Sequence, residues 1–308
     1  MGKRRVFLTG AYGFLGKYVL QALRDRGAVV EAPSHDELDL RNYDQVRTAL
    51  IESDPDVAIH LAAVVGGIGA NQKEPGRFFY QNLLMGLNMI EGARAAGIRK
   101  FVQVGTVCSY PKHTPTPFME SELWNGYPEE TNAPYGIAKK ALLTMLQAYR
   151  EQYHLNGVYL IPVNLYGPGD DIDLALSHVI PALIRKFLVA VKGGAELVSV
   201  WGTGQASREF LYVGDAADGI LKAAELYDGP EPVNLGSGRE ISIRGLCELI
   251  AHKVGFLGQI RFDPSKPDGQ PRRMLDTSKA RELFGWEAST SLSQGLDYTI
   301  SDIKARLA

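Results

Sequence analysis

Residues 5–9, Arg-Val-Phe-Leu-Thr, form an apolar run of strand length that opens directly into Gly10-Ala11-Tyr12-Gly13-Phe14-Leu15-Gly16. A stretch with Val19, Leu20 and Leu23 on one helical face follows. Strand, glycine-rich turn and amphipathic helix in that order are the opening of a βαβ unit. Glycines at this spacing permit the tight turn, let a pyrophosphate approach the backbone, and allow helix and strand to pack closely. The start of the following helix supplies free N–H groups and the positive end of its dipole. Gly10, Tyr12, Gly13, Phe14, Leu15 and Gly16 are therefore candidate contacts to a dinucleotide cofactor.

The alternation continues. Residues 28–32, 57–61, 100–104 and 158–163 read as strands, and residues 17–26, 43–53, 79–96 and 132–153 as helices. Such alternation predicts an α/β fold with a doubly wound parallel (Rossmann) sheet. Beyond residue 165 the pattern loosens. Residues 196–200 and 209–213 read as short strands, 232–235 as a strand returning to the sheet, and 213–226, 243–254 and 278–284 as helices. The expectation is a dinucleotide-binding domain over 1–165, with a returning segment near 209–237. A smaller, interleaved C-terminal α/β substrate domain would comprise 166–208 and 238–308.

The formal net charge is −2, with 45% hydrophobic and 22% charged residues. That balance offers no basis for binding nucleic acid or an anionic membrane surface. Cys108 and Cys247 are the only cysteines, too few for a disulfide framework or a cysteine metal site. The basic start Lys3-Arg4-Arg5 resembles a signal peptide, but its apolar run breaks at Thr9-Gly10. No run reaches the roughly 20 apolar residues of a membrane span. A cytoplasmic protein without a metal is expected.

Two more groups of residues point to chemistry. Tyr135 and Lys139 lie four apart near the start of a predicted helix, so they share a face. A lysine ammonium and a cationic nicotinamide both lower a nearby phenol's pKa, which suits Tyr135 to proton transfer. Thr106, just past a predicted strand, offers a third catalytic group. His60-Leu61-Ala62-Ala63 ends a buried strand at the carboxyl edge of the sheet, where ligands bind in this fold. Leu61, Ala62 and Ala63 are candidate cofactor contacts, and His60 reads as a packed residue behind them. Asp39, with Leu40, is a candidate for the adenine edge. Asn164 and Leu165 end the strand at 158–163, with Asn164 also placed to hold sugar or diphosphate.

Over nearly its whole length the chain resembles the extended short-chain dehydrogenase/reductase (NAD-dependent epimerase/dehydratase) family. It is most similar to the branch that epimerises GDP-4-keto-6-deoxymannose at C3 and C5 and reduces it at C4. The resemblance is carried by HLAAVVGGIGAN (60–71), CSYPK (108–112), ETNAPYGIAKK (130–140), NLYGP (164–168), SHVIPALIRKF (177–187), WGTGQASREFLYV (201–213) and KPDGQPRRMLD (266–276). It implies NADP or NAD as cofactor, a nucleotide-sugar substrate linked to GDP, and a homodimer formed through the helices at 79–96 and 132–153. It also implies that Cys108 and His178 are the acid/base pair for epimerisation, because a 4-ketone acidifies the protons on C3 and C5. Thr106 and Tyr135 would stabilise the enolate at O4, and Tyr135 would then protonate that oxygen as hydride reaches C4. Lys186, Arg208 and Arg273 suit the substrate's diphosphate and ribose, and Trp201 offers a flat face to the nucleotide.

The chain departs from that branch at three places. Thr106 replaces the usual Ser, and Tyr12 stands where an arginine interrupts the glycine loop. Glu31-Ala32-Pro33-Ser34-His35-Asp36 occupies a region that holds further arginines. Ser34 and His35 remain candidate cofactor contacts, but the arginine fork that favours a 2′-phosphate is missing. Glu31 or Ser34 suits the free ribose hydroxyl of NAD. Alternative functions are a GDP-sugar epimerase without efficient reduction, or an NAD-dependent nucleotide-sugar 4-epimerase or dehydratase.

Overall fold

The computed structural model describes residues 1–173, 178–266 and 268–308. Ser177 and Pro267, each within a stretch that carries the resemblance, lie outside the described residues.

Strands β1 (Arg5–Thr9), β2 (Val29–Glu31), β3 (Val57–His60), β4 (Lys100–Val104) and β5 (Asn156–Pro162) alternate with helices α1 (Phe14–Asp25), α2 (Tyr43–Ser53), α3 (Ile68–Lys73), α4 (Pro75–Ala95) and α5 (Ala133–Tyr153). Three further strands follow, β6 (Asn164–Tyr166), β7 (Leu197–Trp201) and β8 (Ser207–Tyr212), with α6 (Val179–Lys192) between β6 and β7. Helix α7 (Val213–Leu226) then leads into β9 (Val233–Leu235), which pairs in parallel with β5. The main sheet has the order β2-β1-β3-β4-β5-β9, and every pair is parallel. Every residue of β3 and β4 is buried. Helices cover both faces of this parallel sheet, so even His60 on β3 and Lys100 and Gln103 on β4 lie inside. α1 packs with α7, while α2, α4 and α5 pack in series. Successive strands run outward in opposite directions from β1 and β3, so a crevice opens beyond the carboxyl ends of these two strands.

The chain ends with β10 (Glu240–Ser242), α8 (Ile243–Val254), β11 (Gln259–Asp263), α9 (Ser278–Phe284) and α10 (Leu292–Leu307). Strands β10, β8 and β6 form a second sheet, and β11 pairs in parallel with β7. Ile184, Phe187, Leu246, Ile250, Leu296 and Ile300 build a second apolar core around α6, α8 and α10. It is separate from the core of the main sheet, which contains Phe7, Leu8, Ile59, Phe101 and Leu160.

The first half follows the sequence pattern closely; α2 and β4 have the expected bounds. Helix α1 starts at Phe14 instead of residue 17, because Gly13 is extended (φ −74°, ψ 177°) and releases the chain directly into the helix. The short elements α3, β6 and β10 have too few residues to show a period. α6, β11 and α10 were not legible as elements, since their apolar faces are fixed by the second core.

Candidate active site

Gly10 sits where β1 meets the glycine loop, with φ +74°, and a β-carbon there would lie 2.6 Å from the Ala62 backbone nitrogen. Only glycine lets the loop lie this close to the end of β3. Helix α1 then starts with no side-chain cap and no acidic residue in its first turn. Its first N–H groups lack intrahelical partners, so the loop fits a pyrophosphate. Leu61, Ala62 and Ala63 follow β3, half-buried beside it, and Leu61 N–H donates to Thr9 O (3.2 Å). Phe14 and Leu15 are half-buried, and Tyr12 is exposed.

Beyond β2, Ser34 N–H donates to the Glu37 carboxylate (2.8 Å), and His35 is paired with Asp36 (2.9 Å). Asp39 holds Arg41 through both carboxylate oxygens (2.8 and 2.9 Å), so its side chain is already engaged. Leu40 is buried, and its carbonyl accepts from Asn88 Nδ2 (2.9 Å).

Thr106, two residues past β4, caps a single 3-10 turn (Val107–Ser109), its Oγ1 accepting from Cys108 N–H at 3.2 Å. Tyr135 and Lys139 lie in the first two turns of α5. The contact between these elements depends on Gly136, where a β-carbon would stand 2.3 Å from the Cys108 carbonyl oxygen. Ser109 Oγ donates to the Gly136 carbonyl (3.0 Å) and fastens the turn to the helix. The Thr106 hydroxyl and the Cys108 thiol thus both lie close enough to the Tyr135 phenol to change its acidity. Burial pushes the phenol above its ordinary range; Cys108 adds to this and Thr106 opposes it.

Lys139 is buried, and Nζ donates to Val104 O (3.2 Å), its one acceptor among the described residues. Burial pushes the ammonium down to about 8. A buried ammonium with donors to spare fits the hydroxyls of a cofactor ribose. His60 Nδ1 bonds Thr9 Oγ1 (2.7 Å), and Nε2 has no partner among the described residues. Burial, then the nearby Lys139, push His60 down to about 3, so it stays neutral behind the site.

The opposite wall comes from the second half of the chain. Arg273 Nη1 reaches to 4.0 Å from Cys108 Sγ, while its Nε donates to Gln270 Oε1 (3.1 Å). Arg208 donates to the carbonyls of Ser207 (2.7 Å) and Asp268 (3.0 Å). Burial and then the neighbouring Arg273 push the Arg208 guanidinium down to about 10, against the pull of Asp268. Neither arginine has a carboxylate ion pair among the described residues. Two adjacent, partly buried guanidiniums in this state suit a diphosphate. Asn164 in β6 donates to Glu209 O (3.0 Å), and Leu165 follows it half-buried. Lys186 on α6 reaches β7, its Nζ donating to Ser199 O (2.7 Å), and the exposed ring of Trp201, which ends β7, has Lys266 5.7 Å from its centre.

His178 is the N-cap of α6, half-exposed, with Nδ1 3.6 Å from the Asp170 carboxylate. That carboxylate raises the imidazole's pKa against the opposing effect of burial. Asp170 is itself buried, and its second oxygen has no partner among the described residues. The contacts thus gather Thr106, Cys108, Tyr135, Lys139, Arg208 and Arg273 into one constellation, whereas His178 is linked to Asp170.

Sequence reading missed Asp170, Glu209 and Gln270. Glu209 accepts from the N–H groups of Leu275 (2.7 Å) and Gly238 (2.6 Å), binding β8 to the segment that carries Arg273. Burial raises it to about 7. An isolated carboxylate or amide carries no signal of such partners; Asp170, directly after Gly167-Pro168-Gly169, had only its glycine-rich turn to mark it.

The description of the NAD dependent epimerase/dehydratase family matches residues 6–236. A protein named GDP-L-fucose synthase from Sinorhizobium fredii (strain NBRC 101917 / NGR234) is 41% identical over 95% of this chain and 93% of its own length. The structure of a GDP-6-OMe-4-keto-L-xylo-heptose reductase from C. jejuni superposes with a TM-score of 0.92 at 27% identity, covering 99% of this chain and 98% of that one. A GDP-L-fucose synthetase from Naegleria fowleri bound to NADP gives 0.90 at 26% identity, covering 100% of this chain and 96% of that one.

Proposed function

The chain belongs to the NAD dependent epimerase/dehydratase family, and from that premise we propose the chemistry of its site. The protein is an NAD(P)-dependent nucleotide-sugar epimerase/reductase similar to GDP-L-fucose synthase, acting on a GDP-4-keto-6-deoxy sugar by 3,5-epimerisation and 4-reduction. The observation that carries the residue assignment is the Cys108 thiol, beside the Thr106–Tyr135 pair and 4.0 Å from the Arg273 guanidinium.

In this reading Gly10, Gly13, Gly16 and the start of α1 would hold the cofactor pyrophosphate, with Leu61, Ala62 and Ala63 beside them. Lys139 holds a ribose. When bound, the reduced nicotinamide supplies a hydride to C4. Thr106 and Tyr135 hydrogen-bond O4, so negative charge that develops there during proton removal is met by two donors. Cys108 and His178 remove and return the protons on C3 and C5. Asp170 orients the imidazole and favours its protonated form. Tyr135 delivers a proton to O4 as the alcohol forms, and Arg208 and Arg273 clamp the diphosphate. Residues 1–165 with 209–237 form the cofactor-binding part, and 166–208 with 238–308 the sugar-nucleotide part.

A homodimer through α4 and α5 fits the exposed Phe79, Tyr80, Leu87 and Tyr153 on these helices. A cytoplasmic location is part of the same reading; no helix among the described residues is long and apolar enough to cross a membrane.

Incubation with GDP-4-keto-6-deoxymannose in deuterated water, with NADH or NADPH, tests the assignment. The expected result is deuterium at C3 and C5 and a 4-hydroxy product. Reduction without deuterium at either carbon would refute the epimerase half.

A further inference from the structure

Resting on the cofactor reading above, we propose that Glu31 selects NAD(H) over NADP(H) by accepting a hydrogen bond from the free 2′-hydroxyl of the adenosine ribose. Glu31 ends β2, which pairs with β1 through the register Phe7↔Glu31. β1 runs directly into the glycine loop. A carboxylate at this point, about 20 residues past the first glycine, is placed for the ribose in a doubly wound fold.

The surroundings favour the same choice. Tyr12 from the glycine loop and Glu31 line an open cleft whose other acidic residues are Asp36, Glu37, Asp44 and Glu52. No lysine, arginine or histidine lines it among the described residues. Nearby, the His35 ring contacts Asp36 (2.9 Å), and Arg41 is held by Asp39. Partial burial and then the adjacent Glu52 raise the Glu31 pKa. A 2′-phosphate carries close to two negative charges at neutral pH and needs several donors. Here it would meet carboxylates, which accept but do not donate. A hydroxyl can donate to Glu31 and brings no charge.

The test is direct binding, with no sugar nucleotide present. NADH and NADPH are titrated into the whole protein and followed by calorimetry. The expected result is at least tenfold tighter binding of NADH. NADPH affinity should rise relative to NADH as salt screens the carboxylates. Glu31→Gln should weaken NADH binding and narrow the gap. The double variant Tyr12→Arg/His35→Arg should improve NADPH binding by tenfold or more. Equal or tighter binding of NADPH by the unmodified protein would overturn the selectivity while leaving the enzyme assignment intact. Failure to bind either dinucleotide would overturn the cofactor reading itself.

Discussion

At the scale of single residues, the site works through differences in acidity between neighbours. A thiol is a far stronger acid than an alcohol, so Cys108→Ser removes the proton carrier while keeping the size of the side chain. Solvent-deuterium incorporation into the ketone substrate should fall by on the order of 100-fold or more, with GDP binding unchanged by calorimetry. Unaltered exchange would remove Cys108 from its role. His178 gives a prediction with a definite sign. Asp170 raises its folded pKa, so this pair's contribution to stability is fully present below the ordinary value near 6.5 and is lost as pH rises through the raised value. In Asp170→Asn the His178 ring signal followed by NMR should therefore titrate at lower pH. The stability gap to the unmodified protein should be widest in acid and should shrink in alkali. A titration curve that does not move would show that Asp170 does not hold the imidazolium.

Among elements, the decisive contact is between α5 and the turn after β4. Tyr135 reaches Thr106 and Cys108 because α5 approaches that turn at Gly136, closer than any side chain permits. Gly136→Ala places a methyl group against a backbone carbonyl, which cannot rotate away as a side chain could. Overpacking of this kind costs about 1–3 kcal/mol. Chemical denaturation should show a loss of that size, and ketone reduction should fall more than stability alone explains because Tyr135 moves with the helix. A fully active, equally stable variant would mean that the helix and turn can separate without cost. β8 forms the matching element on the other side: through Glu209 it ties the segment at 275 into place, and Arg273 reaches Cys108 from that segment.

For the whole molecule, the site takes residues from both halves of the chain, Cys108 from one and Arg273 from the other, and ligands contacting both parts should stabilise the fold by mass action. Cofactor at 100 times its dissociation constant adds about 2.7 kcal/mol to the folded state, visible as a rise in the thermal midpoint. GDP should raise the midpoint in the same way through Arg208 and Arg273, and Arg208→Met/Arg273→Met should abolish the GDP effect while preserving the cofactor effect. Loss of both together would show that the substitutions damage the fold.

The sequence by itself determined the parallel sheet, the glycine loop and the Tyr135/Lys139 pair, because each depends on a local period or fixed spacing. β9 was legible too, as residues 232–235 returning to the sheet. α6, β11 and α10 escaped because their apolar faces acquire meaning only when packed into the second core. Tertiary structure alone decided which side chains meet: Arg273 lies 165 positions from Cys108, and Glu209 lies 66 from Leu275. It also decided their charge states. Lys139 and His60 are shifted down chiefly by burial, and burial is a property of the folded surroundings that no residue's own identity contains.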